Sequence, residues 1–170
     1  IGEDDSHGGA FAIDIQATTF INQGLHVLEV GSWLGGSARW FAEQPDVKTV
    51  TCVDHWDRNK VENWQPGVHP EEWMDCMYEQ FLANCWHAGV ADKIRVIRAE
   101  SHEAVKVLGY RWYNLIYLDG AHRTDKVRQD LEDYWSGTGS PPAKIMCGDD
   151  WLFDKEPENV RGAVLEFAAK

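Results

Sequence analysis

No apolar run in these 170 residues approaches the ~20 that a membrane-crossing helix needs. No basic stretch leads into an apolar one near the start, so neither a membrane partner nor a secretory leader is expected. The chain opens on Ile1 rather than Met, as a fragment or a processed form would. Positive charge is scarce: 16 Lys and Arg stand against 28 Asp and Glu, a formal net charge of -12. A field of that sign repels phosphate backbones and anionic lipid, which argues against nucleic acid as a partner. Only four cysteines occur, Cys52, Cys76, Cys85 and Cys147, with no C-x-x-C pair and no zinc spacing. Cys52 and Cys147 fall in apolar, strand-like runs and read as buried, reduced thiols of a cytoplasmic protein. Internal repeats and low-complexity tracts are lacking too. The length suits one domain with a core large enough to need neither disulfide nor structural metal. We divide it into an N-terminal segment, 1–24, and a core, 25–170.

What is present is an alternation of strand and helix signals. Residues 2–9 are acidic and glycine-bearing and read as loose, and Phe11 to Asn22 reads as a short helix. His26–Val30 reads as strand one and Ser37–Glu43 as its helix. Val47–Val53, β-branched and apolar, is strand two, ending at Asp54. The polar stretch from His55 to Pro70 is a loop that can act as a lid. Glu71–Gly89 is a long helix with Trp73, Met77, Phe81 and Cys85 on one stripe. Ile94–Ile97 is strand three, Ser101–Leu108 a helix, Asn114–Leu118 strand four and Thr124–Trp135 a helix. Ser136–Pro142 is a turn, Ala143–Cys147 strand five, and Glu158–Ala169 the last helix. Such alternation predicts an α/β, Rossmann-like doubly wound sheet, mainly parallel, with helices on both faces. Ligands of such sheets sit beyond the carboxyl ends of the strands. Four of the five strand ends carry acids there: Glu29, Asp54, Asp119, and Asp149 with Asp150. Buried carboxylates are costly unless something pairs with them, so this rim reads as a site.

The glycines between strand one and its helix, Gly31, Gly35 and Gly36, are spaced G-x-x-x-G-G. Neither the dinucleotide spacing G-x-G-x-x-G nor the lysine of a phosphate loop is present. That argues against a nucleotide-binding oxidoreductase. Glu29, just before the first glycine, suits an ammonium group, and Asp54 is placed to accept from two ribose hydroxyls. S-adenosylmethionine (SAM) is the commonest ligand with both features. The competing reading is a tight strand-to-helix turn with a solvated Asp54.

Asp119, Asp149 and Asp150 can converge on Mg²⁺ or another divalent cation, because like carboxylates that close need a cation between them. Equally, only one of them faces the site. His122 is either a general base or a surface group packed on Trp151. Of nine tryptophans, Trp33, Trp56, Trp64 and Trp151 fall on the rim, where indoles can stack on a substrate. Trp40, Trp73 and Trp86 read as packing residues.

The stretches VLEVGSWLGGS (27–37), CVDHW (52–56), IYLDGAH (116–122), DLEDYW (130–135) and CGDDW (147–151) resemble class I SAM-dependent methyltransferases. Within that class they look like the macrocin-type sugar O-methyltransferase branch. The resemblance implies a sheet of order 3-2-1-4-5-7-6. Here the chain stops after the helix following strand five, so the expected order is 3-2-1-4-5 without strands 6 and 7. The resemblance also implies that Glu29, Gly31, Ser32, Gly35 and Ser37 line the methionine end of SAM. By the same carry-over, Asp54 holds the ribose, and Glu100 and Ser101 lie near the adenine. Asp119, Asp149 and Asp150 would hold a divalent metal, with Asp119 or His122 taking the proton. The expected acceptor is a small molecule, such as a sugar or glycoside hydroxyl, and a homo-oligomer is compatible with the chain. The alternatives are an inactive SAM-binding module and, further off, the oxidoreductase.

Overall fold

The computed structural model describes residues 11–13, 24–60, 74–108, 112–138 and 145–170. Its strands are β1 (Phe11–Ile13), β2 (Leu25–Val30), β3 (Val47–Asp54), β4 (Ile94–Arg98), β5 (Leu115–Leu118) and β6 (Ile145–Gly148). Its helices are α1 (Gly36–Glu43), α2 (Met77–His87), α3 (Ser101–Leu108), α4 (Thr124–Gly137) and α5 (Val160–Ala168).

The six strands form one sheet in the order β1-β6-β5-β2-β3-β4. Strands β2 to β6 are parallel to their neighbours in that set. Numbered from β2, they run 3-2-1-4-5, the expected Rossmann-like order. The sixth strand departs from expectation. Phe11–Ile13 pairs antiparallel with Met146–Gly148, so a strand stands where the sequence suggested the start of a helix. Three residues carry too little periodicity to separate the two, and the open edge of β6 supplies the partner. Residues 14–22 of that expected helix, the loose segment 2–9, Trp64, Trp73 and most of the proposed lid lie outside the described residues.

Alternating side chains bury each face under different helices. On one face Leu28, Val30, Ile116, Leu118 and Met146 pack on Ala104, Leu131, Tyr134 and Val164 from α3, α4 and α5. On the other, Val27, Val50 and Cys52 pack on Phe41 of α1 and on Met77, Phe81 and Cys85 of α2. Met77, Phe81 and Cys85 of the expected stripe are therefore the buried face of α2. Trp40 and Trp86 are not packing residues: they are 60% and 74% exposed. Cys147 is only partly buried, whereas Cys52 is fully so.

The strand order reverses between β2 and β5, so the loops after these strands open the crevice where ligands of this architecture sit. They touch there: a Cβ on Gly31 would lie 1.9 Å from the carbonyl oxygen of Asp119. Among the described residues β4 forms the other margin of the sheet. The carbonyl of Lys93 turns toward β3, accepting from Val50 N at 2.9 Å. That of Ile94 is taken by the guanidinium of Arg95, at 2.9 Å, which also donates to Asp92 O at 3.0 Å.

Candidate functional site

Glu29, the last residue but one of β2, has no solvent exposure at all. Neither of its carboxylate oxygens has a hydrogen-bond partner, nor has the buried hydroxyl of Ser32 three residues on. Burial raises the Glu29 pKa, and the nearby Ser32, Ser37 and Cys52 offset only part of the rise. Buried polar atoms left unpaired cost on the order of 1–3 kcal/mol each, so a native chain keeps them for a reason. Gly31, at φ +91°, and Gly35, at φ +83°, shape the loop around this group. Gly31 is demanded by the Asp119 backbone, and Gly35 by the Phe81 ring, 2.9 Å from a Cβ built there. Both glycines are thus accounted for by packing within the protein. Gly36, with nothing within 4 Å of a Cβ, is the open one.

Asp54 ends β3 beside this loop. Its Oδ2 accepts the backbone N–H of Trp33 at 2.9 Å and its Oδ1 that of Trp56 at 2.7 Å. The indole N–H of Trp56 donates in turn to the carbonyl of Trp33 at 2.7 Å. Trp33 and Trp56 both sit at φ 44°, a region that bulky residues avoid. The Trp56 ring is buried, packed on Phe81 and Tyr78 with centroids 4.9 and 5.2 Å away. The expectation that Trp56 offers a face to substrate therefore fails, while Trp33 remains partly exposed on the rim.

Beyond β4, Glu100 pairs with Lys60 at 2.6 Å. The two help line an open pocket of about 440 Å³ together with His55, Trp56, Arg58 and Arg98. Ser101 does not turn its hydroxyl toward that pocket's lining: the hydroxyl bonds to the Asp130 carboxylate, and its carbonyl accepts from the Tyr134 hydroxyl at 2.9 Å. Its side chain is thereby committed to holding α3 against α4. Asp130, which sequence reasoning assigned no role, is 7% exposed, and burial lifts its pKa to about 6.

The acidic group after β5 and β6 is built differently from the expected three carboxylates. Ligand atoms of Asp119, His122 and Asp150 lie within 4.8 Å of one another. Asp149 is not in that set; its Oδ1 accepts the N–H of Asp150 at 2.8 Å. Asp150 adopts φ 61°, and its carboxylate meets His122 Nε2 at 2.8 Å. That contact raises the His122 pKa against the opposing effect of burial. Burial, and then Asp149, Asp150 and Glu29, lift Asp119 to about 7. Asp119 thus holds its proton to a far higher pH than an exposed carboxylate would. Two carboxylates and an imidazole also form a donor set for a divalent ion. His122 packs edge-on against Phe153 at 5.2 Å rather than on Trp151, which lies under the Arg161 guanidinium at 5.6 Å.

All three non-glycine residues at positive φ among the described residues, Trp33, Trp56 and Asp150, belong to loops at this one rim. Backbone strain of that kind concentrates at functional sites. No sequence signal marked it at the two tryptophans, a residue type that avoids the left-handed region, whereas aspartate visits that region more readily.

The sequence pattern of a family described as a methyltransferase domain matches residues 28–149. Comparison with curated proteins finds no match. Among solved structures, one from Staphylococcus aureus, described as a caffeoyl-CoA O-methyltransferase, superposes with TM-score 0.55 at 19% identity. It is covered over 63% of its length by 85% of this chain. The O-methyltransferase TomG from Streptomyces achromogenes, in complex with SAM, gives TM-score 0.55 at 17% identity over 86% of this chain and 60% of its own. The chain thus spans less than two thirds of either structure, and at such identities the likeness concerns the fold. No described helix is long and apolar enough to cross a membrane.

Proposed function

Because the chain belongs to the methyltransferase-domain family whose pattern it carries from residue 28 to residue 149, we propose that it moves a methyl group from SAM to a hydroxyl of a small molecule, a sugar or glycoside by the resemblance of its motifs. The observation that carries this reading is the unpaired, fully buried carboxylate of Glu29 with the orphan hydroxyl of Ser32. A cationic ammonium group is what such a carboxylate lacks. Glu29 would hold that end of SAM and Asp54 the ribose hydroxyls, which fits the donor and acceptor chemistry of both groups. Bound there, SAM supplies an activated methyl group. The protein's part is to bind, to exclude water and to align the acceptor.

Asp119 as the carboxylate, or His122 as the neutral imidazole, would take the proton of the acceptor hydroxyl. Asp150 holds the imidazole in place for that step through its 2.8 Å contact. A divalent cation held by Asp119, His122 and Asp150 would add Lewis acidity toward the same hydroxyl. The negative field of the site favours a cationic cofactor over a phosphate-bearing one. Calorimetric titration of SAM into the purified chain, with and without Mg²⁺, tests the reading. Stoichiometric binding that Asp54→Ala abolishes supports it. Absence of heat and of any thermal shift with a folded chain overturns it, and a response to NADH instead would favour the oxidoreductase. Binding without turnover on a panel of hydroxyl acceptors would leave a SAM-binding module.

A further inference from the structure

We infer that Trp56 is a positioning residue for the cofactor's ribose, acting through Asp54 and not by touching the ligand. The inference rests on the SAM reading above. Its basis is a closed ring of three hydrogen bonds. Trp33 N–H meets one oxygen of Asp54, Trp56 N–H meets the other, and the Trp56 indole N–H returns to the Trp33 carbonyl, at 2.9, 2.7 and 2.7 Å. Each carboxylate oxygen has two lone pairs and spends one on the ring. One therefore remains on each oxygen, the number that a pair of vicinal hydroxyls requires.

The ring also settles why two tryptophans sit at φ 44°. In that conformation both backbone N–H groups point at a single side chain. Holding two bulky residues there is unfavourable and needs support from the surrounding structure. The structure sustains the cost at Trp56 by burying its ring against Phe81 and Tyr78. It also holds the carbonyl with Arg98 Nη2 at 3.3 Å. The carbonyl of His55, the residue between Asp54 and Trp56, is held by Arg98 Nε at 3.4 Å. Asp54 itself keeps about a tenth of its side chain accessible. A carboxylate fixed by both neighbours loses no rotamer freedom when a diol arrives, so the binding entropy is set before the ligand enters. The indole N–H is the one member of the ring contributed by a side chain other than the acid, which makes it the part that mutation can remove alone.

The test is calorimetry with S-adenosylhomocysteine and with its analogue lacking both ribose hydroxyls, on the wild type and on Trp56→Phe. The phenyl ring keeps an aromatic group against Phe81 and Tyr78 and deletes the N–H together with part of the indole, a packing loss that both ligands would feel alike. The expected result is a loss of about tenfold for the parent ligand, the scale of one oriented hydrogen bond, and little loss for the analogue. Equal losses for both ligands, or no loss for either, overturn the inference, since a merely structural residue would weaken both alike. If Trp56→Phe does not fold, Trp33→Val replaces it. A β-branched residue resists positive φ and draws the Trp33 N–H off Asp54, and the same selective loss is expected. A wild-type chain that binds neither ligand overturns the SAM reading and this inference together. Wild-type binding with unselective mutants overturns the inference alone.

Discussion

Asp130→Asn should make the protein more stable near neutral pH and should do so increasingly as pH rises. The carboxyl of Asp130 lies between α3 and α4 and accepts from Ser101. Burial is the main reason that its pKa climbs from 3.8 to about 6; Asp133 adds to the rise, while Ser101, Lys126 and His102 oppose it. A group whose folded-state pKa is raised stabilises the fold fully below its unfolded pKa and loses that contribution as pH passes the folded one. At 1.36 kcal/mol per unit the whole effect is about 3 kcal/mol, of which about 2 kcal/mol falls between about pH 4 and pH 8. Asparagine keeps an oxygen for Ser101 and cannot ionise. The stability of the variant minus that of the wild type should therefore climb by about 2 kcal/mol across that range. Urea unfolding followed by tryptophan fluorescence, run on both proteins at each pH, measures it. The subtraction removes the parallel contribution of Asp119. A difference that stays flat with pH would refute the reasoning, because it would mean that Asp130 ionises in the fold as readily as in the unfolded chain.

Two further outcomes follow from the crevice. Gly31→Ala should cost about 3 kcal/mol or more in a thermal or chemical melt, because its Cβ would meet the Asp119 carbonyl oxygen at 1.9 Å from a backbone at φ +91°; a melt within error of the wild type would show that the two loops separate freely. Glu29→Gln should raise the melting temperature of the unliganded chain by about 2 °C or more, since it removes a carboxyl group whose ionised form burial disfavours. The same change should weaken SAM binding by about tenfold or more, the loss of a charge-assisted contact. Movement of both quantities in the same direction would contradict the assignment of Glu29 to an ammonium group.

The elements that were legible in the sequence are those defined by local pattern. Val47–Val53 reads as a strand because it is rich in β-branched and apolar residues and leads to an acid, and α2 because Met77, Phe81 and Cys85 recur at helical spacing. The placement of Glu29 and Asp54 near strand ends, ahead of a glycine loop and a polar loop, was legible in the same way. The remainder depends on contacts between distant residues. Ser101 reads as a rim residue until Asp130, on another helix, takes its hydroxyl. Asp149 and Asp150 are indistinguishable as a pair, and it is the left-handed backbone at Asp150 that sends one carboxylate to His122 and leaves the other on the main chain. Trp56 looks like a stacking surface, yet Phe81 and Tyr78 fold over it.

The guanidinium of Arg95 has a consequence away from the crevice. Edge strands with free carbonyls are templates on which another chain can add, the starting point of edge-to-edge aggregation. Of the β4 carbonyls that alternate away from β3, that of Ile94 is already occupied from within its own strand. A second chain approaching this margin at Ile94 would have to displace a charged group and break that bond before making a ladder contact there. One arginine thus blunts the start of β4 to accretion.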